Sequence, residues 1–398
     1  LAGYCLTASA QEKMTREDTG AILFSNRFSF TSDGQPVISV RIMDDQKEVE
    51  FTASKGLRIF PSGPGGPSVE VRGGKRWAAK VKDGKASKVS KRLVLDSTAT
   101  RDFQQVKQMV KRWREKGLQT TTLELGSLFS FKGTVFDTRK TIVCLDSTKK
   151  QPPAALKELK SPDGKFLPEI YTQEILEERP SGRVTLRQKG GGEVKIDALN
   201  AIWFEPLEGS LTVIDVEYAK GFPWHGRKTR RYGGTFHLAV DRHGKLAIVN
   251  VLPAEKLLKG LVPAEIYADS PEEALKAQAV TARNEIMSKI GHRHLADPYL
   301  LCADQDCQVY KGLNAERERA SKAVDATRGQ VMFEEDGALG DARYSSTCGG
   351  HTEDAHEAWP GVKSKALKGR WDAGNRAEPY APGDEKHVKQ FSESPPKS

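Results

Sequence analysis

Stretches that alternate apolar with polar residues at period two recur along this chain, and they commit much of it to β-structure. "PVISVRIM" and "KEVEFTA" show the pattern between residues 36 and 53, and "GRVTLRQ", "GEVKIDAL" and "LTVIDVEYA" show it between 182 and 219. Turn-forming runs such as "PSGPGGPS" and "GGK" punctuate the early strands. "GTFHLAVDRHGKLAIVNVLP" reads as a hairpin whose turn falls at His243-Gly244. A helical period interrupts this pattern over residues 101–118, where Phe103, Val106, Met109, Val110 and Trp113 share one face and Gly117 closes the helix.

At 398 residues the chain is too long for one small core. The expected class is α+β, with β-rich N-terminal and middle regions. The expected division is a β-rich unit over 11–100, a small α/β segment over 101–150, a linker and β-rich region over 151–228, and a mixed α+β domain over 229–379. Residues 380–398 carry too few apolar side chains to pack and are expected to be disordered.

The most fully specified helix start lies in "PAEIYADSPEEALKAQAVTAR", residues 263–283. Ser270 suits an N-cap, Pro271 the first helical position, and Glu273 a capping box with Ser270. Glu272 favours the positive end of the helix dipole. Leu275, Ala279, Ala282 and Ile286 then form one stripe. Glu265 lies outside this logic, too far upstream to cap and flanked by Leu261, Val262, Pro263 and Ile266. A carboxyl held in such an apolar wall has its pKa raised, because desolvation disfavours the charged form, and it can serve as a general acid.

Lys and Arg number 62 against 53 Asp and Glu, a net charge of +9. The positive charge is spread over lysine-rich loops with little aromatic interleaving, so no nucleic-acid partner is expected. The opening "LAGYCLTASAQEK" holds an Ala8-Ser9-Ala10 cleavage pattern, and residues 1–10 read as the remnant of a secretory signal. Tyr4 before Cys5 argues against a lipoprotein box. Export is therefore expected, to a periplasmic, envelope or extracellular site where cysteines meet an oxidising compartment.

The stretch from "RRYGGTFHLAVDRHGKLAIVNVLPAEKLLKGLVPAEIYADSPEEALKAQAVTAR" through "CADQDCQVYKG" and "ATRGQV" to "YSSTCGGHTEDAHEAW" resembles the SpoIID/LytB family. The resemblance covers roughly residues 229–371, and it implies an enzyme. SpoIID-like members are lytic transglycosylases that cut peptidoglycan glycan strands already stripped of stem peptides. It also implies that Glu265 is the catalytic acid and that Arg283 is needed, suited to the lactyl carboxylate of muramic acid. The LytB branch implies an alternative, a wall-binding enhancer of a partner amidase. The segment 101–150 resembles the small sporulation-related repeat domain that binds bare glycan strands.

Some members of the resembled family hold zinc beside the acid with one histidine and two cysteines, which here points to His294, Cys302 and Cys307. Many relatives place His before the second Cys, where this chain has Asp306. A disulfide between two of Cys302, Cys307 and Cys348 is the competing expectation. In "SSTCGGHTE" the resemblance favours a groove wall contacting sugar hydroxyls through Ser345, Ser346, His351 and Glu353, over a tight structural turn. Trp359 and Trp371 are candidates for stacking on sugars or for core packing, and Cys144 reads as a buried thiol.

Overall fold

The structure, a computed structural model, describes residues 22–370 apart from short gaps (26–28, 74–75, 132–133, 163, 168–169, 191–193, 336, 348–349, 360–361, 363 and 365), together with residue 389. The expected signal remnant, Trp371, and the tail apart from residue 389 lie outside the described residues. No described helix is long and apolar enough to cross a membrane.

Period-two alternation produces the strands it predicts. Val37–Gln46 buries alternate residues in its first half, and Val49–Ala53 does so throughout. Among the described residues the largest sheet has seven strands. From edge to edge they are Leu301–Cys302, Val37–Gln46, Leu246–Pro253, Thr235–Val240, Ala201–Pro206, Gly56–Phe60 and Val69–Arg72. Only the short 301–302 strand pairs in parallel; the other described pairings are antiparallel. A six-stranded sheet faces it, in the order Lys195–Leu199, Ser181–Lys189, Arg76–Lys85, Val49–Ala53, Leu211–Tyr218 and Gly226–Tyr232.

Side chains of both sheets meet in one apolar core. Phe51 of the smaller sheet stacks on Phe204 of the larger at 5.0 Å, and Phe204 stacks on Phe236 at 5.5 Å. Such aligned aromatic faces add to the stabilisation from buried area. Helices Ala254–Glu265, Glu272–Lys289 and Glu318–Ala326 contribute Leu257, Leu261, Leu275, Ala279, Ala282, Ile286 and Val324 to the same core. Residues expected to form separate N-terminal, middle and C-terminal units therefore share one interior.

A second unit has its own core around Leu95, Met109, Trp113 and Val143. Its sheet runs Tyr171–Glu178, Lys88–Ala99, Lys140–Leu145 and Thr120–Leu125, all antiparallel, with the helix Phe103–Glu115 after the first strand and Pro153–Lys157 before the last. In chain order this is β-α-β-β-α-β with spatial order 4-1-3-2, a split βαβ arrangement. Two of its four strands lie outside the expected 101–150 segment. On its helix Met109 and Trp113 are buried, but Phe103 is 69% exposed, contrary to the single-face reading. Cys144 is buried in the 140–145 strand, where loss of hydration pushes its thiol up to about 11.

The helix 254–265 is not among the expected elements. Pro253 occupies its N-cap and Pro263 lies in its last turn, so both prolines sit where a helix tolerates or ends on them. The capping box expected at Ser270 does not form. The next helix starts at Glu272 with Pro271 as its cap and no side-chain cap bond, and both Glu272 and Glu273 pair instead with Lys276 at 2.8 and 2.9 Å. The expected stripe Leu275, Ala279, Ala282 and Ile286 is fully buried.

Candidate active site

Glu265 ends the 254–265 helix, and its carboxylate opens into a cleft of about 2140 Å³. Pockets for small molecules run to ~300–1,000 Å³, so this volume suits a polymer. Glu265 Oε1 accepts a hydrogen bond from the Val309 N–H at 2.5 Å. That donor is delivered by close packing upstream. A Cβ on Gly260 would stand 2.8 Å from the Gly312 carbonyl oxygen and from the Tyr310 ring, so the absence of a side chain lets the 310–312 segment lie against the helix.

The Glu265 carboxyl is held above its ordinary value, by burial first, with the Val309 N–H, Lys311, Lys289 and Tyr344 partly opposing the shift. Its place at a helix C-terminus, where the dipole disfavours negative charge, acts in the same direction as burial. The cleft holds other acids, and each has a basic partner. Asp44 pairs with Arg41 at 3.0 Å, Asp45 with Lys245 at 2.7 Å, Glu174 with Arg242 at 2.5 Å and Glu217 with His225 at 2.9 Å. Glu285 pairs with Lys289 at 2.5 Å, Asp297 with His294 at 3.0 Å, Asp304 with Arg41, and Asp306 with Arg293 at 2.7 Å. Among the described carboxylates of the cleft, Glu265 alone has no ion pair.

Arg283 is not in the cleft. It is 3% exposed, and its guanidinium grips Glu255 in a two-point pair of 2.9 and 2.8 Å while donating to the Gln330 carbonyl at 3.0 Å. The expected contact with a substrate carboxylate is thus unavailable to it. Its work is positional: Glu255 lies in the first turn of the helix that Glu265 ends. Next to it, Asn284 donates to the Met332 and Gly340 carbonyls and accepts from the Met332 N–H. Together these residues fix the segment leading to Tyr344.

Ser345, Ser346 and Trp359 line the cleft, with the Arg343 guanidinium 4.5 Å over the Trp359 ring. His351 and Glu353 do not; they belong to a neighbouring loop, where Glu353 accepts from the Asp354 N–H and His351 packs beside Gly369. Tyr344 and Gln308 were not singled out in the sequence. The Tyr344 hydroxyl donates to Gln308 Oε1 at 3.0 Å, and both line the cleft beside Glu265. The position of Tyr344, directly before the two serines of "YSSTCGGHTE", is the signal that could have marked it.

His294, Cys302 and Cys307 come together, and Asp306 joins them: their ligand atoms all lie within 4.8 Å of one another. Asp306 therefore takes a place in the cluster rather than merely departing from a pattern. His294 Nδ1 faces Asp297 Oδ2 at 3.0 Å, leaving Nε2 toward Cys307 Sγ at 3.2 Å. A carboxylate behind an imidazole is the usual outer support of a metal ligand. Cys307 is held below the ordinary thiol value, by the Cys302 side chain first and then by the Cys302 N–H and Lys289. Cys302 and Cys307 are not bonded to each other, and Cys348 lies outside the described residues.

A half-buried, unpaired acid thus sits in a polymer-sized cleft that a thiol-imidazole cluster also lines, and comparison with known proteins shows what this part of the chain is similar to. Residues 242–333 match the family model SpoIID, described as a stage II sporulation protein. The chain is 29% identical over 151 residues to stage II sporulation protein D of Bacillus subtilis (strain 168), covering 34% of this chain and 43% of that one. It is 39% identical over 102 residues to the amidase enhancer of the same organism, covering 26% of this chain and 13% of the other. It is 35% identical over 120 residues to an uncharacterized protein of Brachyspira hyodysenteriae, covering 30% and 32% respectively. The chain thus spans less than half the length of each of these relatives.

Proposed function

We propose that this protein acts outside the cytoplasm on peptidoglycan, as a lytic transglycosylase that cuts glycan strands lacking stem peptides. The observation that carries this reading is the solitary state of Glu265. Glycosidases that use water flank the scissile bond with two working carboxylates. Intramolecular transfer needs one. In the proposed step the protonated Glu265 gives its proton to the glycosidic oxygen as the C1–O bond breaks. The C6 hydroxyl of the same muramic acid attacks C1, and its proton returns to Glu265. The products are a free 4-hydroxyl on one fragment and a 1,6-anhydromuramoyl end on the other, so atoms and charge balance. The Val309 N–H fixes Oε1, which leaves Oε2 to carry the proton.

Zinc is part of the proposal. Two thiols, an imidazole and a carboxylate whose donor atoms lie within 4.8 Å of one another fit its ligand preferences, with His294, Cys302, Cys307 and Asp306 as the holders. Bound zinc would supply a fixed positive charge and tie the 294–297 turn to the 302–307 loop. Elemental analysis of the purified protein should give one zinc per chain, and Cys307→Ser should lose it.

The 39% identity to a protein named amidase enhancer favours a second reading, a non-catalytic wall-binding protein that activates a partner amidase. Mass spectrometry of peptide-free strands separates the two. Wild type should release anhydro-ended sugars, and Glu265→Gln should lose about 10²–10⁴-fold in rate. Intact strands with both proteins, alongside a faster added amidase, would establish the second reading instead.

A further inference from the structure

The hairpin formed by Leu211–Tyr218 and Gly226–Tyr232 lies outside the matched segment 242–333, yet its end lines the same cleft as Glu265. Its connecting loop carries Phe222 and Trp224, stacked at 4.9 Å and 41% and 59% exposed. On the second strand of the same hairpin Arg230 is 8% exposed, its guanidinium 5.4 Å over the Tyr218 ring. No carboxylate pairs with Arg230 among the described residues. The neighbouring acids are taken, Glu217 by His225 and Asp45 by Lys245.

A guanidinium on so buried a residue, with no counter-charge, costs stability that the Tyr218 face only partly offsets. A carboxylate arriving in the cleft would complete it with paired N–H···O bonds. The exposed rings of Phe222 and Trp224, which line the same cleft, offer a flat apolar platform of the kind that packs against the C–H face of a pyranose. One ligand satisfies both demands: a sugar ring that carries its own carboxylate.

We propose that the 211–232 hairpin is a recognition subsite for muramic acid units in which Arg230 pairs with the lactyl carboxylate while Trp224 and Phe222 stack on the sugar. The proposal rests on the cleft being a glycan groove. It also gives that groove its selectivity. In strands bearing stem peptides this carboxyl is an amide and offers Arg230 no charge; in bare strands it is free. The role the resemblance assigned to Arg283, on a helix, passes to a residue on an edge strand of the six-stranded sheet.

The test uses the full chain carrying Glu265→Gln, so that no ligand is consumed. Calorimetry and tryptophan fluorescence follow binding of peptide-free strands and of N-acetylglucosamine oligomers of matched length, which lack the carboxylate. The strands should bind roughly tenfold or more tighter. Adding Arg230→Gln should bring the two ligands together, Arg230→Lys should restore part of the preference, and Trp224→Ala should weaken both ligands while keeping their ratio. Circular dichroism checks that the Arg230 variants fold; Trp224 is exposed, so its arm stands whatever they do. A preference that survives Arg230→Gln, or affinities untouched by Trp224→Ala, overturns the proposal. So does a hairpin whose variants lose only the stimulation of an added amidase. Cleavage by wild type with an Arg230-independent preference would sink the subsite and spare the activity. An Arg230-dependent preference without anhydro products would do the reverse.

Discussion

A carboxyl at the end of a helix, half-buried and without an ion pair, is the residue on which the functional reading turns. Because burial lifts its pKa above the ordinary carboxyl value of 4.5, the folded protein holds an extra proton in the window between that value and the folded one. Stability contributed by this group is present at low pH and lost as pH rises through the window. Glu265→Gln should therefore be more stable than wild type at neutral pH, with the gain vanishing below about pH 4.5 in thermal melts. Activity should fall along the same limb, since the proton to be donated is the one lost. Arg283 behaves differently. Removing Glu255 leaves its buried charge uncompensated, so Glu255→Ala should cost about 3–5 kcal/mol in denaturant unfolding. Replacing both partners with apolar residues of similar size should recover much of that loss. Glu265 and its apolar setting were legible in the sequence because both are local. The burial of Arg283 was not, since its partner lies 28 positions away on a helix the sequence reading did not include.

Among the elements, the 254–265 helix was hidden by its two prolines, which read as breakers. Leu257, Leu258, Leu261 and Val262 nevertheless lie on one helical stripe. The 272–289 helix was legible in its buried stripe and wrong only at its cap. What joins these helices to the chemistry is contact between backbones. Gly260→Ala would push its methyl into the Gly312 carbonyl and the Tyr310 ring, displacing the 310–312 segment and with it the Val309 N–H. The expected outcome is a lowered melting temperature together with a drop in rate beyond the fraction unfolded. Unchanged kinetics would mean that the Val309 contact does not hold the acid in place.

For the molecule as a whole, period-two patterning correctly announced a β-rich chain but could not announce which strands pair. Pairing is non-local: strand 246–253 has 37–46 on one side and 235–240 on the other, and 201–206 adds to 235–240. A domain cut at residue 229 therefore slices through a sheet. A fragment of residues 229–398 should show no cooperative thermal transition by circular dichroism, whereas a sharp melt would show that the segment carries its own core. The cleft is built from both sides of that cut, with Glu265 and Arg230 from one and Phe222 and Trp224 from the other.

The central claim is that one carboxylic acid breaks the strand without water. Digestion of peptide-free glycan strands in heavy-oxygen water, read by mass spectrometry, tests it most directly. The account predicts anhydromuramoyl ends carrying no heavy oxygen, formed by wild type and lost in Glu265→Gln. Reducing ends labelled with heavy oxygen would show that water is the nucleophile and would contradict it.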